Sequence, residues 1–475
     1  MRNRDRQNIP MRTLKSRFDR RKRCFLRKAA ALLLLAVMIL VTACGSGKSS
    51  AGDNSGAGAS AAAAGQEAPA AGASTAAAGQ EAPAEQTKSA VPAEGEKNGG
   101  AASDDKKNGD SARVGKGAEA APDAGGKKTL TIMLYLCGSD LESKAGAGTN
   151  DLEEILASGL NTDAVNVAVM AGGTTQWRNG FSEEETAVYT VVSGADGSPA
   201  WEKKQAFQAP EQAEAPANMG EKETLQGFLD YSYEQFPAQK YALIMWDHGG
   251  GPMRGLCWDT AWAKDNLTME EFTGAIAASP FAEEKLAWIG FDACLMSSVE
   301  TAHLVAPYAE YMIASEETEP SLGWSYDFLK GIEEDPDGAA TGTRIVDSFF
   351  EAAQAQDVES ALTLSCTDLS KIQAVEQGLD GFFGVLSKSL DAESFSELSN
   401  LRQDTREFGK AMNDSQRMDL VDLGDLVTHY SPEAPAEAEK LKKALEGAVI
   451  YNRSSLENCS GLSAYHPYYI KTYFE

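Results

Sequence analysis

The sequence predicts an α/β fold, a mostly parallel sheet sandwiched by helices, and three observations predict it. Short β-rich apolar runs alternate with segments of helical spacing. The runs are continuously apolar, as strands buried on both faces are. Two of them end in side chains capable of chemistry, at the strand ends where open parallel sheets bind ligands. The expected strands are 129–136, 165–171, 241–247, 286–292 and 311–315. Thr149-Asn150-Asp151 is placed to cap a helix carrying Leu152, Ile155 and Leu156. Further helices are expected over 224–235 and 297–305, and residues 181–221 read as an insertion or hairpin between sheet elements. Beyond 340, strands at 361–366, 448–451 and 462–465 and helices at 369–387 and 435–447 form a C-terminal extension or subdomain, with a boundary near 335–360.

Only 128–475 is foldable in this way. The chain has 475 residues and a net charge of −27, yet residues 1–30 carry 12 basic and 2 acidic side chains. Such an acidic body argues against nucleic-acid binding, which needs a surplus of Lys and Arg. The basic block precedes an apolar run, 29–43, shorter than the roughly 20 residues a helix needs to cross hydrocarbon. It reads as a signal peptide, 1–43. Its end, Val41-Thr42-Ala43-Cys44, resembles a bacterial lipobox, so Cys44 is the expected lipidation site. The expected location is extracytoplasmic, lipid-anchored to a bacterial cell membrane. Residues 44–127 are rich in Ala, Gly, Ser and Pro and contain a tandem repeat, 57–70 and 71–84, whose copies lack an apolar face to stack. A disordered tether is expected there. The last residues, 469–475, carry no polar tail, as in a chain cut short.

The chemistry-bearing strand ends are Asp247-His248-Gly249-Gly250-Gly251 and Asp292-Ala293-Cys294-Leu295-Met296. The stretch between them has room for the crossover that joins neighbouring parallel strands. A cysteine thiol, mostly protonated at neutral pH, becomes a nucleophile beside an imidazole that can take its proton. His248 and Cys294 are therefore the candidate catalytic pair. The Gly249 and Cys294 amides are the candidate oxyanion donors. The five cysteines left in 128–475 (137, 257, 294, 366 and 459) are an odd number, so at least one thiol is free.

The pair DHGGG and GFDACLMSSVE resembles the clostripain family of cysteine peptidases, with further similarity at 133–142, 314–320 and 461–465. The resemblance implies a caspase-like fold and makes His248 and Cys294 a dyad with no required third acid. It implies cleavage after Arg or Lys, with Asp292 as the P1 acid and Glu316 and Glu319 as a second acidic group that shares or competes for that role. It also implies activation by self-cleavage between histidine and cysteine, for which Lys264, in a polar loop-like stretch, is favoured over Arg254 and Lys285. No cofactor is required. Calcium dependence, known in the family, would draw on Asp140, Glu142 and Asp151. The expected partners are peptides with basic P1 residues and, through the N-terminal lipid, a membrane; a monomer is expected. The rival readings are a catalytically silent peptide-binding or adhesion lipoprotein and a transpeptidase on the same fold.

Overall fold

The computed structural model describes residues 127–209, 212–389, 392–410 and 417–468. The signal peptide, Cys44 and the tether lie outside the described residues. The strands are β1 (Lys128–Cys137), β2 (Val165–Gly172), β3 (Thr186–Ser193), β4 (Pro199–Ala209), β5 (Gln212–Pro216), β6 (Ala238–Trp246), β7 (Leu256–Asp259), β8 (Asp265–Leu267), β9 (Trp288–Asp292), β10 (Tyr311–Ala314), β11 (Thr363–Asp368), β12 (Glu407–Phe408), β13 (Leu420–Asp422), β14 (Val449–Ser454) and β15 (Ser463–Tyr465). A ten-stranded sheet runs in the order β14-β11-β10-β9-β6-β1-β2-β3-β4-β5. Its centre, β2-β1-β6-β9-β10, is parallel, whereas β3, β4 and β5 on one side and β11 and β14 on the other pair antiparallel.

The apolar runs explain the layers. Alternate residues of each central strand face opposite sides: Met133, Tyr135, Leu243, Met245, Ile289 and Phe291 enter one core, and Ile132, Leu134, Ile244, Trp246 and Trp288 the other. The second core is covered by α1 (Ala147–Ala157), through Leu152 and Ile155, and by α5 (Gly338–Ala355), through Ile345, Val346 and Phe349. The first is covered by α2 (Lys222–Gln235), α3 (Met269–Ala277), α4 (Val299–Val305), α6 (Ile372–Leu386), α8 (Leu423–Tyr430) and α9 (Pro435–Ala448); α7 (Ala392–Asp404) adds Leu398. A sheet buried on both faces needs apolar residues at every position, hence the unbroken runs.

Two local expectations are corrected and a third is refined. Thr149 is not a cap: α1 starts at Ala147 after Gly146, whose φ of 73 only glycine adopts readily, and the Glu142 carboxylate accepts from the Thr149 amide at 2.8 Å. The stretch 335–360 holds no boundary, because α5 occupies it and packs on the sheet that β11 and β14 extend. The 181–221 stretch is a β-meander, β3-β4-β5, continuing that sheet. What remains separate is a small sheet, β12-β13-β15, joined to the loop after β9 by bridging of Ser298 with Ser463.

Candidate active site

β1 connects to β2 on one side, and the chain then returns to β6 on the other, so the crevice beyond their carboxyl ends is a topological switch point. The ends of β6 and β9 lie side by side, with Trp246 in register with Asp292 and the Asp247 amide donating to the Asp292 carbonyl. Beyond them the two backbones nearly touch: a Cβ on Gly249 would sit 2.0 Å from the Cys294 carbonyl oxygen and 2.9 Å from its nitrogen. Only a residue without a side chain lets this approach occur. The Gly249 peptide, which follows His248, thus lies against the Cys294 peptide.

Cys294 is 8% exposed. Its sulfur accepts from the Glu319 amide at 3.3 Å and from the Gly249 amide. Burial pushes the thiol up to about 12, and the Glu319 and Glu317 carboxylates reinforce that rise against the pull of the two amides. The resting group is a neutral thiol, so reaction requires a base. Leu295, next in sequence, has a φ of 65, costly for a branched side chain. It is held there by its amide, which donates to the Glu317 carbonyl at 3.2 Å, and by packing with Phe408 and Leu420 of the small sheet. The C-terminal elements therefore fix the backbone that carries the sulfur.

The imidazole of His248 is a quarter exposed, its Nε2 2.9 Å from Asp140 Oδ1, with the Trp258 ring edge-on at 6.4 Å. Asp247 is buried, accepts from the Ser139 hydroxyl and from the Trp258 amide at 2.6 Å, and is pushed up to about 6 by burial.

A second cluster stands beside the thiol. Asp292 Oδ1 accepts from the Trp324 amide and Oδ2 from the Tyr326 hydroxyl, both at 3.1 Å. Glu319 lies against Asp292 in a carboxyl–carboxylate hydrogen bond and accepts from Trp324 Nε1 at 3.4 Å. Behind them Asp151 accepts from Trp246 Nε1 at 2.6 Å and Glu154 from the Tyr326 amide at 3.0 Å. Burial raises Asp292 to about 7 and also lifts Asp151, Glu154 and Glu319. Glu319 Oε2 is buried without a donor. The described partners of these acids are indole, phenol and amide donors, not cations. Gly323, with a φ of 65, lets the backbone pack closely against Asp292 and Asp151; a Cβ there would lie 3.2 Å and 3.5 Å from the two carboxylates.

Glu316 does not join this cluster. It is buried on the other side of its loop, where Oε2 accepts from the Gly461 amide at 3.1 Å and the carboxyl pairs with Asp422. Its inclusion among substrate-binding residues is corrected: the chain bends at Glu316 and Glu317 after β10, and Glu316 ties the segment to Gly461 and Asp422. Asp140, Glu142 and Asp151 do not share a site either, since Glu142 accepts from Thr149 and Arg178 while Asp151 is on Trp246. Among the described residues, no three His, Cys, Asp or Glu side chains are grouped to hold a metal ion. Lys264 is exposed at the tip of the β7–β8 hairpin, with φ of 57 at Ala263 and 65 at Lys264. Cys137, Cys257 and Cys366 are free and buried, and Cys459 is free and partly buried.

Comparison with known proteins bears on the family and the fold. A family model described as "Clostripain family" matches residues 134–473. The chain belongs to the clostripain family. Clostripain from Hathewaya histolytica is 24% identical over 321 residues, 58% of this chain and 59% of the relative, so this chain spans less than two thirds of that protein. An inactive zymogen C11 protease from Parabacteroides distasonis shares the fold with a TM-score of 0.55 at 20% identity, over 73% of this chain and 94% of that one. A secreted C11 cysteine protease from Bacteroides thetaiotaomicron, in complex with an irreversible peptide inhibitor, does so with a TM-score of 0.55 at 15% identity, over 72% and 93%.

Sequence reasoning missed Glu154, Trp324 and Tyr326, and gave Asp151 other roles, because none sits at a strand end after a recognisable motif. Asp140 does follow β1, and the strand-end rule that singled out His248 and Cys294 applies to it equally.

The glycine contact yields a direct test. Gly249→Ala is expected to lower kcat/KM by about 10²-fold or more, because the methyl group displaces the Cys294 peptide from the reacting geometry. Peptide hydrolysis and circular dichroism of the same preparation check this: a folded variant with unchanged turnover contradicts it.

Proposed function

We propose that this protein is an extracytoplasmic cysteine endopeptidase that cleaves after Arg or Lys through a thioester on Cys294. The observation that carries the reading is the Asp292–Glu319 pair beside the thiol: both are buried, and Glu319 Oε2 lacks a donor. A guanidinium or ammonium group entering there would supply the missing donors and displace the shared proton, so recognition would favour a basic P1 side chain. With the P1 residue seated, His248 takes the Sγ proton and the sulfur attacks the scissile carbonyl carbon. The Gly249 amide, now on the sulfur, and the Cys294 amide are the oxyanion donors of the proposal. The imidazolium returns its proton to the leaving amine, and the thioester remains. Water then attacks the thioester while His248 takes its proton, and the thiol leaves on reprotonation. Lipidation at Cys44 would hold this domain at the outer face of the membrane on the tether; the lipobox-like residues support that part of the reading.

Fluorogenic peptides differing only in P1 provide the test. Arg and Lys peptides are expected to turn over and neutral ones are not. Cys294→Ala should abolish turnover, and Asp292→Asn should lower kcat/KM for basic P1 by about 10²-fold while leaving a weak, unselective activity. Equal turnover by Cys294→Ala would refute the mechanism; undiminished selectivity in Asp292→Asn would refute the pocket. Wild-type binding without hydrolysis would favour the silent peptide-binding protein, and joining of peptides to amines would favour the transpeptidase.

Self-cleavage after Lys264 is part of the same proposal, supported by its exposure at a hairpin tip. N-terminal sequencing of active protein is expected to find a new chain starting at Asp265. An active chain that stays whole would reject it.

A further inference from the structure

We infer that Asp140 is a positioning residue for His248, a third member behind the two that do the chemistry; the inference rests on the peptidase reading above. Asp140 Oδ1 lies 2.9 Å from His248 Nε2. Burial alone would raise this carboxyl, but hydrogen bonds from Lys144 and His248 hold it at about 2. It is therefore ionised throughout the working pH range and can only accept. Nε2 must then carry the proton, which leaves the lone pair of a neutral imidazole on Nδ1. Nδ1 is the atom left to receive the thiol proton.

The loop that presents Asp140 is built for this contact. Ser139, the residue before it, has a φ of 45, its hydroxyl donates to Asp247, and its carbonyl accepts from the Thr174 hydroxyl at 2.7 Å. The residue before Asp140 is thus tied to the residue before His248, and the ends of β1 and β6 are joined by two successive side-chain bonds. Glu142, fully buried, anchors the following turn by accepting from the Thr149 amide and hydroxyl and from the Arg178 amide. A strained non-glycine residue held by two buried hydrogen bonds costs stability and is kept where geometry matters. The charged groups that act on the imidazole are Asp140, itself paired with Lys144, and the buried Asp247 just before it in the chain; of the two, Asp140 has an oxygen within hydrogen-bond distance of a ring nitrogen.

Asp140→Asn tests the role. Its kcat is expected to fall about 10²-fold with KM changed by less than about threefold, because orientation and imidazolium stabilisation are lost while peptide binding is not. A second readout needs no substrate: alkylation of Cys294 by iodoacetamide at pH 7, located by peptide mapping, is expected to be about tenfold slower in the variant. Unchanged kcat, or equal alkylation rates, would overturn the proposal. Failure of the wild type to hydrolyse any peptide would retire the peptidase reading, while the alkylation rates would still decide the role of Asp140. If Asp140→Asn does not fold, nitrogen NMR of wild-type His248, assigned by its loss in His248→Gln, replaces it. A neutral ring protonated on Nε2 is expected, and one protonated on Nδ1 overturns the proposal.

Discussion

The structure depends on one close approach, the Gly249 peptide lying against the Cys294 peptide at the ends of β6 and β9. It sets the imidazole and the sulfur on neighbouring backbones and directs the Gly249 amide at the sulfur. Two strands buried on both faces hold the peptides at that spacing, so the sheet converts hydrophobic burial into catalytic geometry. The third strand of the group, β1, reaches the same rim and delivers Asp140.

Around that contact the molecule maintains two opposed electrostatic conditions. The thiol is kept neutral by burial and by nearby carboxylates, while burial lifts Asp292 to about 7 and burial together with Asp292 lifts Glu319. Both are unfavourable states for reaction, and in the proposed reading a basic side chain arriving between them would relieve both, offsetting the Glu319 charge that opposes thiolate formation while supplying the donor that Glu319 Oε2 lacks. Selectivity for the P1 residue and activation of the nucleophile are, in this account, linked through the same carboxylates. The small C-terminal sheet contributes by holding Leu295 in its strained conformation and by tethering the other side of the 315–319 segment through Glu316 and Asp422.

Much of this was legible in the sequence. The five central strands announce themselves as unbroken apolar runs, and the glycines after His248 mark a place where backbones must meet. The elements that could not be read are those set by tertiary contact. β12 and β13 are two and three residues long, too short for any periodicity. Thr149-Asn150-Asp151 carries good capping residues, yet Gly146 and the buried Glu142 start α1 earlier. Glu316 and Glu319 look alike in sequence, and only the direction of the chain between β10 and Gly323 separates an acid beside the sulfur from one bound to the C-terminal sheet. Asp151 and Glu154 look like solvated residues of a helix, and become part of the acidic cluster only because the Trp324–Tyr326 segment folds over them.

Covalent labelling by a lysyl chloromethyl ketone, followed by intact mass and peptide mapping, addresses the central claim most directly. The account predicts a single adduct on the peptide containing Cys294, slowed sharply in His248→Ala and competed by free arginine-containing peptide. Labelling that falls on the other cysteines, or that proceeds equally without the imidazole, would contradict it.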